Sequence, residues 1–178
     1  AAGINYIDTA WPYHNGESEP FVGKVLSKYP RDSYYLATKL PVWLVKSLDE
    51  VDTYLEKQLE RLRTDHIDFY LMHSLDKEDW DRMVEMGTVK RLEELKAEGK
   101  IRYLGFSFHD KYEVFEEILN YRDWDFCQIQ YNYAGERYQA GTAGLIAAAE
   151  CGLAVFVMEP LLGGRLAGKL PPRARAVL

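Results

Sequence analysis

Short apolar runs rich in β-branched and aromatic residues recur along the chain, at 4–8, 34–40, 67–73, 101–107, 126–131 and 154–159. Each is too short for an independent helix, so each predicts a strand. Five helical patterns fill the gaps between them. The clearest opens at Ser47-Leu48-Asp49-Glu50, where Ser47 is placed to cap and Glu50 to reach back. Val51, Leu55, Leu59 and Leu62 then recur on one face, which predicts the buried side. Asp110 and Glu113 repeat the device before Val114, Phe115, Ile118 and Leu119. Another helix ends at Gly99, a natural left-handed C-terminal residue, and Ile101 begins the next strand at once. Strands start about thirty residues apart, the size of a βαβ unit, which predicts a parallel sheet crossed over by helices.

Two architectures accept that pattern. A doubly wound dinucleotide fold would carry G-x-G-x-x-G after its first strand, but here Thr9-Ala10-Trp11-Pro12-Tyr13-His14-Asn15-Gly16 follows it, and the fingerprint occurs nowhere else. A (β/α)8 TIM barrel carries its chemistry at the C-terminal strand ends, where polar residues should gather. Asp8, Lys39, His73, Ser107 and Gln128 fall at or near successive strand ends. The barrel is therefore the expected fold, as a single domain over 1–178. Six strands would leave two unpaired edges, so the chain reads as an incomplete barrel of about six βα units, lacking the first and at least the last.

Composition narrows the partners. With 178 residues, 47% hydrophobic and 28% charged, the chain can bury one sizeable core. A net charge of −6 and the lack of a long basic run disfavour nucleic acid and anionic membranes. No stretch approaches the roughly twenty apolar residues of a membrane span, and no secretory leader pattern opens the chain. Cys127 and Cys151 show neither disulfide framework nor metal spacing, so a reducing, cytoplasmic setting is expected, with no metal site.

The strand ends also predict chemistry. Taken singly, Asp8 reads as a turn cap, Lys39 as a side chain snorkelling to solvent, and His73 as a satisfied core histidine. Taken together they read differently. Lys39 closes a strand buried on both faces, where an ammonium needs a counterion, and Asp8 stands at the matching end of the neighbouring strand. Tyr13, on the adjoining loop, can set its phenol oxygen against that ammonium, which favours the phenolate and makes Tyr13 a candidate general acid. His73 can point an N–H at the same spot and hold a substrate oxygen. Trp11, two residues before Tyr13, is as suited to an apolar substrate wall as to loop packing, and His14 and His109 could extend the pocket. The small-residue helix around Gly141–Glu150 and Trp43, Trp80 and Trp124 read as packing or rim residues.

At these residues the chain resembles the aldo-keto reductases. The segments Gly3–Glu19, Leu36–Leu40, Asp68–Ser74, Lys96–Ser107, Cys127–Asn132 and Val157–Leu166 carry the likeness nearly end to end. The resemblance implies NAD(P)H-dependent reduction of an aldehyde or ketone to an alcohol, with Asp8, Tyr13, Lys39 and His73 as the catalytic tetrad. It also implies that Ser107 and Gln128 bond the nicotinamide carboxamide, that Met158 packs on the ring, and that Pro160 and the backbone of Leu161 to Gly164, Gly163 included, approach the pyrophosphate. Phe108 and His109 join Trp11 in the implied substrate pocket. Many members have Tyr where this chain has Met158 and Asn where it has Phe108; a thioether still packs on a ring. The family's grip on the adenosine phosphate comes after the eighth strand, beyond Leu178, and NADPH is expected with NADH as the alternative. The style of the last motif is also similar to a subgroup with a C-terminal ferredoxin-like iron-sulfur domain, whose cysteines are not in this chain. Two rival readings stay open: a Schiff-base aldolase with Lys39 as nucleophile, and a non-catalytic cofactor-sensing or partner-binding module.

Overall fold

The computed structural model describes residues 3–167. Six strands alternate with helices: β1 (Tyr6–Asp8), α1 (Ser18–Leu26), β2 (Tyr35–Leu40), α2 (Asp49–Leu62), β3 (Ile67–Leu75), α3 (Lys77–Met86), α4 (Thr88–Ala97), β4 (Ile101–Phe108), α5 (Tyr112–Leu119), β5 (Phe126–Gln130), α6 (Gly141–Glu150) and β6 (Ala154–Met158). All neighbouring strands pair in parallel, and their order in the sheet is the order of the sequence.

The helical count differs from expectation in one gap. Between β3 and β4 the chain forms two helices, because Gly87 at φ 81° ends α3 and starts α4. A left-handed residue cannot continue a right-handed helix, and glycine takes that conformation at no steric cost. The expected caps also differ. Ser47 makes no side-chain cap to α2, although Glu50 Oε2 does reach back, accepting from the backbone N–H of Lys46 at 2.7 Å. Asp110 does not cap α5; its carboxylate accepts from Lys77 N at 2.9 Å and Lys111 N at 2.7 Å, tying the α3 and α5 starts together.

Alternation along each strand splits the sheet into two faces. The outward face, with Leu36, Tyr70, Met72, Phe106 and Cys127, is buried under Val51, Leu55, Trp80, Met83, Leu95 and Phe115 of the helices. Burial alone pushes the Cys127 thiol up to about 12. On the inward face, aromatic rings surround Phe69, with centroids at 4.9 Å (Tyr103), 5.1 Å (Phe126), 5.5 Å (Tyr6 and Phe156) and 6.0 Å (Tyr35). Tyr6 of β1 stacks on Phe156 of β6 at 4.8 Å. The sheet therefore curls until rings from its first and last strands meet, as in a barrel wall.

α1 lies close on α2. A Cβ at Gly23 would sit 2.3 Å from the carbonyl oxygen of Arg61 and 2.8 Å from Leu62 backbone atoms. Gly23→Ala should thus force the helices apart and cost about 1–3 kcal/mol, the usual range for overpacking. A urea-unfolding midpoint unchanged in that variant would contradict the close contact.

Candidate active site

At the C-terminal end of the sheet, Asp8 is the last residue of β1 and Lys39 the last but one of β2. Lys39 is 1% exposed, and its ammonium donates to Asp8 Oδ1 at 2.6 Å and to the Thr9 carbonyl at 2.8 Å. Two of its three N–H bonds are thereby committed. The second Asp8 oxygen accepts from the Tyr6 hydroxyl at 3.4 Å. Burial, and then the Asp8 charge, hold the Tyr6 phenol well above the ordinary tyrosine range, so it is a fixed donor and not an acid.

Tyr13 sits above this pair on the loop that leaves β1. Lys39 Nζ lies 4.9 Å from the Tyr13 ring centroid, so the ammonium faces the ring; the expected bond from the ammonium to the phenol oxygen is not formed. Among the described residues the Tyr13 hydroxyl has no hydrogen-bond partner, and the side chain is exposed toward the mouth. The loop turns sharply after it: His14 and Asn15 take φ near 55° and Gly16 takes 87°. Consecutive left-handed residues are strained backbone of the kind that persists where a side chain has to be aimed.

His73 comes from β3, where the register with β4 shifts between Met72 and Leu75 and Ser74 takes φ 60°. A bulge of this kind re-aims side chains at a barrel rim. The His73 ring lies edge-on to Tyr13 at 5.9 Å and tilted on Trp43 at 5.1 Å. It is 8% exposed, and its buried Nδ1 has no hydrogen-bond partner. Burial first, then the Lys39 charge, pushes the imidazole down to about 3, so it is neutral at ordinary pH.

Ser107 and Gln128 stand side by side as register partners on β4 and β5. Ser107 Oγ accepts from the bulged Ser74 N–H at 2.6 Å, which leaves its own proton free to donate. The Gln128 amide has no partner among the described residues. A hydroxyl donor beside a free amide suits a carboxamide. Met158 pairs with Gln130, one step nearer the rim. After it the chain winds through turns past Pro160, with Leu161 half exposed, Leu162 at φ 48°, Gly163 at 62° and Gly164 at 87°. A Cβ at either glycine would meet nothing within 4 Å, and neither glycine N–H donates to a backbone carbonyl among the described residues. The residues present thus fit a nicotinamide dinucleotide.

Two pocket candidates, Phe108 and Trp11, fall elsewhere. Phe108 alternates with the inward Ser107, so it points out of the barrel, fully buried against the Phe115 ring at 5.3 Å, and lines no pocket. Trp11 packs on α2, over the Arg61 guanidinium at 3.5 Å and edge-on to Tyr54 at 4.9 Å. His109 is at the rim, its Nδ1 3.2 Å from Gln139 Nε2. Trp43, read from sequence as packing or rim, is at the rim, where it joins His73 at the mouth. Its loop is fixed by Arg82, which donates to the carbonyls of Val42 at 2.9 Å and Val45 at 2.6 Å.

The chain matches the model of the aldo/keto reductase family over residues 1–176. It is 32% identical to an NADH-specific methylglyoxal reductase of Escherichia coli strain K12, across 94% of this chain and 56% of that protein. It is 33% identical to aflatoxin B1 aldehyde reductase member 2 of Rattus norvegicus, across 94% and 46%. Among solved structures, an aldo-keto reductase from Klebsiella pneumoniae in complex with NADPH superposes with a TM-score of 0.75 at 31% identity, covering 93% of this chain and 56% of that one. The chain thus spans about half the length of the curated relatives it matches.

His73 carries a pH prediction. Its folded value lies below the unfolded one of 6.5. The unfolded state therefore binds a proton that the folded state refuses, and stability present above pH 6.5 is lost as pH falls toward 3. The slope from this one group is at most about 1.4 kcal/mol per pH unit. Denaturant titrations between these limits should show a shallower loss in His73→Asn; identical slopes in both proteins would remove His73 as the source.

Proposed function

We propose, because the chain belongs to the aldo-keto reductase family, that it works in the NAD(P)H-dependent reduction of an aldehyde or ketone to an alcohol. The observation that carries this reading is the buried Lys39 ammonium, paired with Asp8 at 2.6 Å under the Tyr13 ring. In this reading the bound nicotinamide supplies hydride to the carbonyl carbon. Tyr13 gives its proton to the carbonyl oxygen, with the Lys39 ammonium facing its ring. Neutral His73 donates one N–H to the same oxygen and orients it. Asp8 holds Lys39 in place. Ser107, Gln128 and Met158 hold the nicotinamide, and Pro160, Leu161 and Gly163 lie toward the pyrophosphate. NADPH is the preferred cofactor, with NADH as the alternative; the Escherichia coli relative is named for NADH and the Klebsiella pneumoniae structure holds NADPH.

The aldolase reading fits the geometry less well. A Schiff-base lysine has to present a neutral amine to a carbonyl, whereas Lys39 is tied to a carboxylate and a backbone carbonyl.

In the full-length protein, Tyr13→Phe should lower carbonyl reduction about a hundred-fold or more, the usual scale for a lost general acid, while nucleotide affinity persists. The check is steady-state turnover of NADPH and NADH against a panel of aldehydes, beside a fluorescence titration of each cofactor. Wild-type turnover in Tyr13→Phe would remove Tyr13 from the reaction, and borohydride trapping of a Lys39 adduct would favour the aldolase.

A further inference from the structure

Glu19, in the first turn of α1, is a carboxylate with 0% exposure that the proposed chemistry does not use. Its Oε1 accepts from Thr38 Oγ1 at 2.6 Å and Gln58 Nε2 at 2.7 Å, and its Oε2 from Arg61 Nη1 at 3.3 Å. Thr38 immediately precedes Lys39 on β2. Gln58 Nε2 also lies 3.0 Å from the Lys39 carbonyl, and Gln58 Oε1 accepts from the Tyr70 hydroxyl at 2.6 Å. The end of β2 is therefore gripped from the helix side by a polar cluster centred on one buried charge. The Arg61 guanidinium that completes the cluster also lies 3.5 Å from the Trp11 ring centroid, and Trp11 is two residues before Tyr13.

We propose that Arg61 is a positioning residue for the Tyr13–Lys39 pair: through Trp11 it fixes the loop that carries Tyr13, and through Glu19 it fixes the strand end that carries Lys39. The proposal rests on the reading of Tyr13 as the acid. The physical need is clear from the loop itself. Its inner side has to admit substrate, so it cannot be packed from within, and it has to be held from outside the barrel. Arg61 stands on α2, outside the sheet, and touches no reacting group. Its flat cation suits both tasks, stacking on an indole while donating to a carboxylate. A counterion role alone would require the Glu19 contact and not the stacking on Trp11.

The test is a double-mutant cycle in the full-length protein, with aldehyde reduction at saturating NADPH as the readout. Arg61→Met should lower kcat about ten- to a hundred-fold, the scale of a small misplacement of reacting groups, with NADPH Kd unchanged. Arg61→Lys keeps the charge beside Glu19 but lacks the flat face, and should restore kcat only in part. In a Tyr13→Phe background Arg61→Met should cost nothing further, because its effect passes through Tyr13. An equal loss in both backgrounds would show a merely structural role and overturn the inference. Trp11→Leu leaves the buried ion pair intact, so it keeps the proposal open to test should Arg61→Met fail to fold; unchanged kcat in Trp11→Leu also overturns it. Full turnover in Tyr13→Phe alone would instead overturn the acid assignment on which the proposal rests.

Discussion

A charged amine in a nearly dry site is the constraint around which this structure is arranged. Stripping Lys39 of water costs several kcal/mol unless a counter-charge and good acceptors replace the solvent. Asp8 and the Thr9 carbonyl do so at 2.6 and 2.8 Å. That solution requires β1 beside β2 in parallel, with Asp8 in register with Ala37 and Lys39 one inward position further along. It also places the loop after Asp8 over the ammonium. The position of Tyr13 is thus a geometric corollary of how the Lys39 charge is satisfied.

The two ends of the sheet handle polarity in opposite ways. At the start of β3, buried Asp68 accepts from Arg31 Nη2 at 2.6 Å and from the Leu36 N–H at 2.9 Å, so that end closes on itself. At the other end His73 Nδ1 is buried without a partner among the described residues. Buried polar groups normally find partners within the protein, and those that do not mark places where something else is expected. Asp68 and His73, on the same strand, thus differ in whether the protein itself satisfies them.

The strands were legible because their signal is local: short apolar runs at regular spacing, and polar residues at successive ends. Asp8, Lys39 and His73 could be grouped because a parallel sheet of sequential units leaves little freedom in who neighbours whom. What stayed hidden depends on side-chain direction or on contacts distant in sequence. Phe108 follows Ser107 directly, and only the pleat shows that the two face opposite sides. Trp11 resembles a pocket wall until Arg61, fifty residues away, is seen beneath it. Trp43 could be read as a rim residue because it lies four residues beyond Lys39 in the loop leaving a strand end, but its contact with His73 is not visible in the sequence. The Asp110 cap was misplaced because its carboxylate accepts from Lys111 N beside it and from Lys77 N at the start of α3, a contact distant in sequence.

Strand order identical to sequence order bears on how the sheet is assembled. Each new strand finds its partner in the one made just before it, across a crossover of one helix or, between β3 and β4, two, so no strand has to wait for a distant segment before its ladder can close. Loop-closure entropy is then met in small, nearly equal instalments along the chain. The stacking of Tyr6 on Phe156 is the exception, joining rings 150 positions apart. Docking of strands can proceed in the order of synthesis, whereas the curvature that brings the two outer strands face to face is a property only of the assembled set.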